Sequence, residues 1–279
     1  MPELPEVEVI LRRIAPALTG RTIRKVCTGT DGRVFATARA TLKRRLSDRG
    51  IQALTREGKY LLLHLDDGGR LLLHLGMTGQ LLLVDRPAEG KRRLNIKPDI
   101  HIHLRLDFGN QIPSLVFRDP RRFGLVSLLE PGCCCARLQK LGTDALRATG
   151  AQLFSATRGR KSAIKNLLLD QSVLAGYGNI YADEALFRAG IRPTTPCSRL
   201  SEERCAALIK EGKRVMRRAI AAGGSSISDY QHPDGGRGRF QQQHQVYGRK
   251  KEPCPRCGAI IARSVLAGRS TYYCPRCQR

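Results

Sequence analysis

The sequence predicts an α+β protein of more than one domain: an N-terminal β-sandwich with a packed N-terminal helix, a helical domain, and a small C-terminal ribbon held by four cysteines. Three observations carry this. Apolar runs of strand length fill the first 130 residues behind one amphipathic helix. Beyond Pro131-Gly132 the pattern turns helical. Two Cys-x-x-C pairs close the chain, Cys254/Cys257 and Cys274/Cys277, with sixteen residues between them. A length of 279 residues leaves room for two domains with proper cores.

The elements follow in order. Val7, Ile10, Leu11, Ile14 and Leu18 recur at helical spacing and Gly20 ends the run, which predicts a helix over 4–18. Leu61–Leu65 and Leu71–Leu75 flank Asp66-Asp67-Gly68-Gly69, a hairpin whose continuous apolar strands are buried on both faces. His101–Leu106 alternates like a half-exposed strand, and 115–118 and 124–129 complete the sheets. Helices are expected over 138–146, 161–171, 180–188 and 201–222, the last closed by Gly223-Gly224. Residues 225–245, rich in Gly, Ser, Gln and Asp, read as a mobile loop. The domain expectation is therefore 1–130, a linker at 131–135, 136–245, and 246–279.

Charge narrows the partner. Lys and Arg number 49 against 24 Asp and Glu, a formal net charge of +25. Such an excess favours a polyanion, nucleic acid first and an anionic membrane surface second. No run approaches the ~18 apolar residues of a spanning helix. Residues 2–8 carry three glutamates where a secretory leader is basic. The expectation is a soluble, cytoplasmic protein.

Paired Cys-x-x-C knuckles at this spacing place four thiolates tetrahedrally around zinc. A ribbon this short has little core of its own, so one structural zinc ion supplies much of its folding energy. Four thiolates and a divalent ion lower the net charge to about +23. Cys27, Cys133, Cys134, Cys135, Cys197 and Cys205 have no ligand spacing, and the 133–135 triplet reads as small, partly buried thiols.

The chain opens Met1-Pro2-Glu3-Leu4-Pro5-Glu6. With Met1 removed, the terminal group is the secondary amine of Pro2. An α-amine titrates near ~8, so a useful fraction is unprotonated at neutral pH. Such an amine can attack an electrophilic sugar carbon and form an iminium, with the adjacent Glu3 moving protons. The same residues also suit the first turn of a helix, where Pro fits and carboxylates meet the positive end.

Four separated segments resolve that ambiguity: Pro2–Glu6, His74-Leu75-Gly76-Met77-Thr78-Gly79, Asp119-Pro120-Arg121-Arg122-Phe123-Gly124, and Gly176-Tyr177-Gly178-Asn179-Ile180-Tyr181-Ala182-Asp183-Glu184. With the cysteine ribbon, in this order and nearly end to end, the chain resembles the bacterial formamidopyrimidine-DNA glycosylase (8-oxoguanine DNA glycosylase/AP lyase) family. The resemblance implies a catalytic β-sandwich, a helix–two-turn–helix domain and a zinc finger, with double-stranded DNA carrying oxidised or abasic sites as partner. It implies a monomer that excises oxidised purines and nicks the strand by β,δ-elimination.

It also implies roles. Pro2 is the nucleophile, Glu3 the general acid/base, and Glu6 a second carboxylate that positions the site. Lys59 is an active-site lysine near the lesion phosphate. Asn179 and Arg269 grip phosphates around the flipped nucleotide, with Gly176 and Gly178 permitting close approach to DNA. His74 and Lys165 are further DNA contacts, though His74 reads equally as a structural histidine. Extruding a base costs roughly a few kcal/mol. Met77, Arg121 and Phe123 match the residues that fill the gap, Arg121 facing the orphaned base in a lesion pair with cytosine. Ser225, Ser226 and Tyr230 lie near the flipped base. Ser228 departs from the family pattern, which often has an arginine there.

Two alternatives stay open. The sister enzyme, endonuclease VIII, uses the same proline on oxidised pyrimidines. A non-catalytic damaged-DNA-binding protein on the same scaffold has the same composition but no need of Pro2-Glu3.

Overall fold

A computed structural model describes residues 2–30, 32–85, 99–109, 111–133, 135–227 and 230–279. They form two compact units. The first holds Pro2, Glu6–Cys135 and Gly223–Gly238; the second holds Glu3–Pro5, Ala136–Ala222 and Arg239–Arg279.

The first unit is built from α1 (Leu4–Leu18, from Glu6 onward), β1 (Lys25–Thr28), α2 (Arg39–Leu46), β2 (Ile51–Glu57), β3 (Tyr60–Leu65), β4 (Arg70–His74), β5 (Gln80–Val84), β6 (Ile102–Asp107), β7 (Ser114–Arg118) and β8 (Leu125–Leu129). Two four-stranded antiparallel sheets result, in the orders β1-β6-β7-β5 and β2-β3-β4-β8. The expected hairpin is β3–β4, with Leu62 opposite Leu72. Val7, Ile10, Ile14 and Leu18 of α1 share one core with Leu61, Leu63, Leu71 and Leu73 from one sheet and Leu104, Leu106 and Leu115 from the other. Leu62 and Leu72 are equally buried, so both faces of these strands are covered, as their unbroken apolar character requires.

β6 departs from simple alternation. The register shifts between Ile102 and Leu104, and both His103 and Asp107 are buried. His103 is accommodated because Nε2 meets the carbonyl of Asp119 at 2.9 Å. The segment 223–238 joins this unit at a sheet edge, where Leu83 N donates to the Pro233 carbonyl at 2.8 Å.

The second unit holds α3 (Ala136–Gln139), β9 (Thr143–Asp144), α4 (Gly150–Thr157), α5 (Ile164–Leu169), β10 (Leu174–Ala175), α6 (Asn179–Arg188), α7 (Glu202–Ala221), β11 (Ala262–Leu266) and β12 (Arg269–Tyr273). The helix expected over 138–146 is corrected. α3 stops at Gln139, and Thr143–Asp144 pairs in parallel with β10 instead. Gly142 explains the break: a Cβ there would lie 2.3 Å from the Val173 carbonyl oxygen. α4 was not expected, yet Thr149 and Gln152 form a reciprocal capping box at its start. The expected loop over 225–245 includes a 3-10 turn at Phe240–Gln243. Of the cysteine triplet, Cys133 is exposed rather than partly buried, Cys135 is half-buried, and Cys134 lies outside the described residues.

Candidate active site and nucleic-acid interface

The N-terminal segment is fixed by its carboxylates. Pro2 is buried, and Glu3 is 2% exposed. Within the second unit, the Glu3 carboxylate accepts Ile180 N at 2.9 Å and Tyr181 N at 3.3 Å. These are orphan amides of the first turn of α6. Gly178, the residue before that turn, supplies no side-chain cap, so Glu3 caps the helix from another part of the chain.

The two glycines of this motif are therefore reinterpreted. A Cβ at Gly178 would lie 2.2 Å from Glu3 Cδ, and one at Gly176 (φ +115°) would lie 2.4 Å from Leu4 Cδ1. They admit the N-terminal segment, which also bonds Leu4 N to the Gly176 carbonyl at 3.1 Å. The close approach they permit is to protein.

In the first unit Glu6 is 1% exposed and accepts Ser225 N at 2.8 Å. Gly224, at φ +82°, passes so close that a Cβ would lie 3.0 Å from Glu6 Oε1. Tyr230 is 7% exposed and belongs to the sandwich core, its hydroxyl 3.3 Å from the Gly223 carbonyl. Burial raises its pKa, so the phenol stays neutral. Ser226 Oγ donates to the Tyr230 carbonyl at 2.9 Å and accepts Gly238 N at 3.0 Å. Ser225, Ser226 and Tyr230 thus form the closed base of a loop; Ser228 lies outside the described residues.

Lys59 sits at the β2–β3 turn, largely buried. Arg56 ties this turn to α1: its Nε donates to Glu8 at 2.8 Å and its Nη1 to the Gly58 carbonyl at 2.9 Å. Burial alone would raise the Glu8 pKa, but Arg56 and Arg12 outweigh it and hold the carboxyl below its ordinary value. His74 ends β4. Its Nδ1 accepts Gly76 N at 3.2 Å, which ties the ring to the following turn.

Met77, Arg121 and Phe123 come from two turns that one buried carboxylate organises. Asp119 is unexposed; Oδ1 accepts Thr78 Oγ1 at 2.6 Å and Oδ2 accepts Gly124 N at 2.7 Å. Gly76 lets the turns meet, since a Cβ there would lie 2.4 Å from the Phe123 carbonyl carbon. At the tips Met77 is 41% and Phe123 55% exposed, an unusual state for such side chains in a packed domain. The Arg121 guanidinium lies 4.8 Å from the Phe123 ring centre.

The second unit presents Asn179 and Arg269. Asn179 opens α6 and its Nδ2 donates to the Ser270 carbonyl at 2.8 Å. Arg269 is exposed and follows the two-residue turn Ala267-Gly268, whose positive φ values suit a tight hairpin. Lys165 is corrected as a direct DNA contact. It is 0% exposed; Nζ lies 2.6 Å from Asp183 and donates to Ser270 O at 3.0 Å and Thr271 Oγ1 at 2.9 Å. Its ammonium is used up inside the protein, where it secures the hairpin beside Arg269.

Sequence reasoning missed four organising side chains: Asp119, Asp183, Glu184 and Gln278. Asp183 also accepts Tyr272 N at 2.9 Å; burial pushes its pKa up, and the Lys165 ammonium beside it opposes that rise. Glu184 accepts the amides of Gln245, Val246 and Tyr247 at 2.9–3.0 Å, while burial pushes its pKa up. Gln278 takes Cys274 N on Oε1 and donates Nε2 to the Ile191 carbonyl, both at 2.8 Å. The available signal was a pair of carboxylates inside an otherwise apolar helical run, which needs partners to be buried.

The four ribbon cysteines have their sulfurs within 4.8 Å of one another. Cys254 and Cys277 are 3.9 Å apart, Cys257 and Cys274 3.5 Å. Zinc–sulfur bonds of about 2.3 Å in a tetrahedron require sulfurs about 3.8 Å apart. Each knuckle also turns an amide onto its first sulfur, Arg256 N to Cys254 and Cys277 N to Cys274, both at 3.4 Å. The donor set fits one structural zinc ion.

A buried carboxylate next to Pro2, exposed Met77 and Phe123 beside Arg121, a strongly basic chain and a four-cysteine zinc ribbon together fit a protein that works on DNA. Comparison with known proteins agrees. Residues 1–126 match the formamidopyrimidine-DNA glycosylase N-terminal domain, 141–231 its H2TH domain, and 251–279 the zinc finger found in FPG and IleRS. The formamidopyrimidine-DNA glycosylases of Neisseria meningitidis and Alcanivorax borkumensis are 39% and 42% identical, over all of this chain and all of each relative. A Lactococcus lactis FPG mutant in complex with Fapy-dG-containing DNA has a TM-score of 0.88 at 33% identity, covering all of both chains. MutM (FPG) from Thermus thermophilus has 0.85 at 38% identity, covering 99% of this chain and 98% of that one. The chain belongs to the formamidopyrimidine-DNA glycosylase family, a family of DNA glycosylases with AP lyase activity.

Proposed function

We propose that the protein is a base-excision-repair glycosylase/AP lyase that removes 8-oxoguanine and formamidopyrimidines from duplex DNA. The Pro2 nitrogen attacks C1′ of the extruded nucleotide, and the base leaves with a proton. The C1′–O4′ bond then opens, with a proton delivered to O4′ and the pyrrolidine N–H proton lost, to give an open-chain iminium; this acidifies the C2′ proton, which a carboxylate accepts as the 3′ phosphate departs. A second elimination releases the 5′ phosphate and leaves a nick. Glu3 serves as the acid/base, Glu6 orders the loop base at Ser225, and Lys59, His74, Asn179 and Arg269 meet phosphates. Met77, Arg121 and Phe123 fill the gap left by the extruded base. Residues 1–130 carry the chemistry, 136–245 grip DNA and the lesion, 246–279 form the zinc finger, and 131–135 link them.

The observation that supports this reading most is the capping of α6 by Glu3. It holds a carboxylate one residue from the nucleophile, in a buried setting that a binding protein does not need. No helix among the described residues is long and apolar enough to cross a membrane. A monomer acting on nucleoid DNA in the cytoplasm fits the basic charge.

Borohydride trapping tests the proposal, using protein that begins at Pro2 and a duplex with 8-oxoguanine opposite cytosine. A covalent protein–DNA band is expected, and Pro2→Gly abolishes it. A band only with oxidised pyrimidines would move the assignment to the sister enzyme. Tight binding with no band on any lesion would leave a protein that recognises damage without cutting.

A further inference from the structure

Away from these residues the second unit carries a basic groove between α4 and α7. It encloses about 330 Å³ and is lined by Thr149, Gly150, Ala206, Lys210, Lys213 and Arg217, among others. Gly150 is what lets the two helices close on each other, since a Cβ there would lie 2.6 Å from Ala206 Cα.

The three cations share one face of α7 because they stand three and four residues apart. Lys210 and Arg217 are exposed and Lys213 is half-buried. None of the three has a carboxylate partner among the described residues, and no acidic side chain lines the groove. The acidic residue of this part of α7, Glu211, is committed elsewhere, to Arg188 at 2.9 Å and Arg214 at 3.7 Å. The first turn of α4 opens onto the same groove. Thr149 caps Gln152 N, while the amides of Gly150 and Ala151 have no acceptor among the described residues. Positive helix-end charge and three unneutralised cations thus converge on one concavity.

The groove is separate from the Glu3 site. Gly212 of α7 faces α6, where a Cβ would lie 3.5 Å from Ala185 Cβ. At about 100° per residue, Lys210 and Arg217 lie roughly 140–160° round the helix from Gly212. They point away from α6, whose first turn binds Glu3 and carries Asn179.

We infer that this groove binds the phosphate backbone of a second DNA segment while the lesion site holds the first. The seven helical steps from Lys210 to Arg217 rise about 10 Å, close to three phosphate intervals of about 3.4 Å along one strand. The inference rests on the DNA-repair reading above. It gives the enzyme a means of passing from one duplex to another without full release.

The test uses the full zinc-loaded protein, bound one to one on an immobilised short duplex with a tetrahydrofuran abasic analogue. A labelled undamaged duplex is then added. The wild type captures the second duplex. Lys210→Ala/Lys213→Ala/Arg217→Ala captures it at least tenfold less, with a log–log salt slope shallower by about 2.7. Excision from a short 8-oxoguanine duplex stays at the wild-type rate, which shows that the variant is folded; Arg217→Glu alone serves if the triple variant is unstable. Equal capture by wild type and variant would overturn the inference, as would no capture by a wild type that holds the first duplex. Displacement of the second duplex by an acidic peptide at equal charge concentration would reassign the groove to a protein partner. A wild type that excises no lesion would sink the repair reading instead, independently of the capture result.

Discussion

The ammonium of Lys165 lies 2.6 Å from Asp183, and neither side chain is exposed. With the bonds to Ser270 and Thr271, the pair fastens the zinc hairpin to the helices just where Arg269 emerges. Removing one partner leaves a buried charge uncompensated, which costs about 3–5 kcal/mol. Lys165→Met therefore lowers the thermal midpoint of the free protein, and adding Asp183→Leu restores much of it. A lysine whose role was to touch phosphate would leave the midpoint of DNA-free protein unchanged. Calorimetry of the two variants separates the cases.

Asp119 plays the corresponding part in the wedge. Asp119→Asn keeps an acceptor for Gly124 N or for Thr78 but not both, and the lost bond costs about 1–3 kcal/mol. The tips bearing Met77, Arg121 and Phe123 then lose their mutual register. The expected result is weaker binding of lesion duplex and a smaller preference for cytosine opposite the lesion, with the imine chemistry retained on single-stranded abasic DNA. Thr78→Val shows the same direction with about 1 kcal/mol at stake. An unchanged opposite-base preference in Asp119→Asn would remove it from this role.

These two residues mark the boundary of what the sequence made legible. Periodicity placed α1, the β3–β4 hairpin and α7, because each buries a face whose pattern is local. Ligand spacing placed the zinc cysteines, because the knuckle is a local turn. Lys165 and Gly178 were misread because their partners lie far along the chain, at Asp183, Ser270 and Glu3. A lysine near phosphate and a lysine in a buried pair look alike until the fold brings the carboxylate. The short α3 shows the reverse failure: Leu138–Leu146 has helical composition, but the Gly142 contact with Val173 ends the helix.

His244 predicts the response to acid. It is packed between the rings of Phe240 and Tyr247, with centroids 5.5 and 5.7 Å away. Burial depresses its pKa to about 4 from an ordinary 6.5. The folded protein thus refuses a proton that the unfolded chain accepts. The stability His244 contributes is whole above about pH 6.5 and drains as pH falls toward 4. Between pH 7.5 and 5 the loss is about 2 kcal/mol. His244→Gln flattens that part of the stability profile in denaturant titrations at the two pH values. An identical slope in the variant would place the acid sensitivity on another group.

Zinc removal tests how far the ribbon serves as a support for Arg269. The hairpin is held from one side by Lys165, Asn179 and Asp183 and from the other by the four sulfurs. Chelation releases the second anchor only, so Arg269 loses its orientation while Glu3 keeps its bonds to α6. Affinity for lesion duplex is expected to fall first. Imine trapping at saturating abasic DNA should persist, since that step depends on Pro2. Arg269→Ala in zinc-loaded protein should reproduce most of the affinity loss, and chelating that variant should add little. If chelation weakened Arg269→Ala as strongly as the wild type, the ribbon would be supporting the fold at large rather than this one side chain.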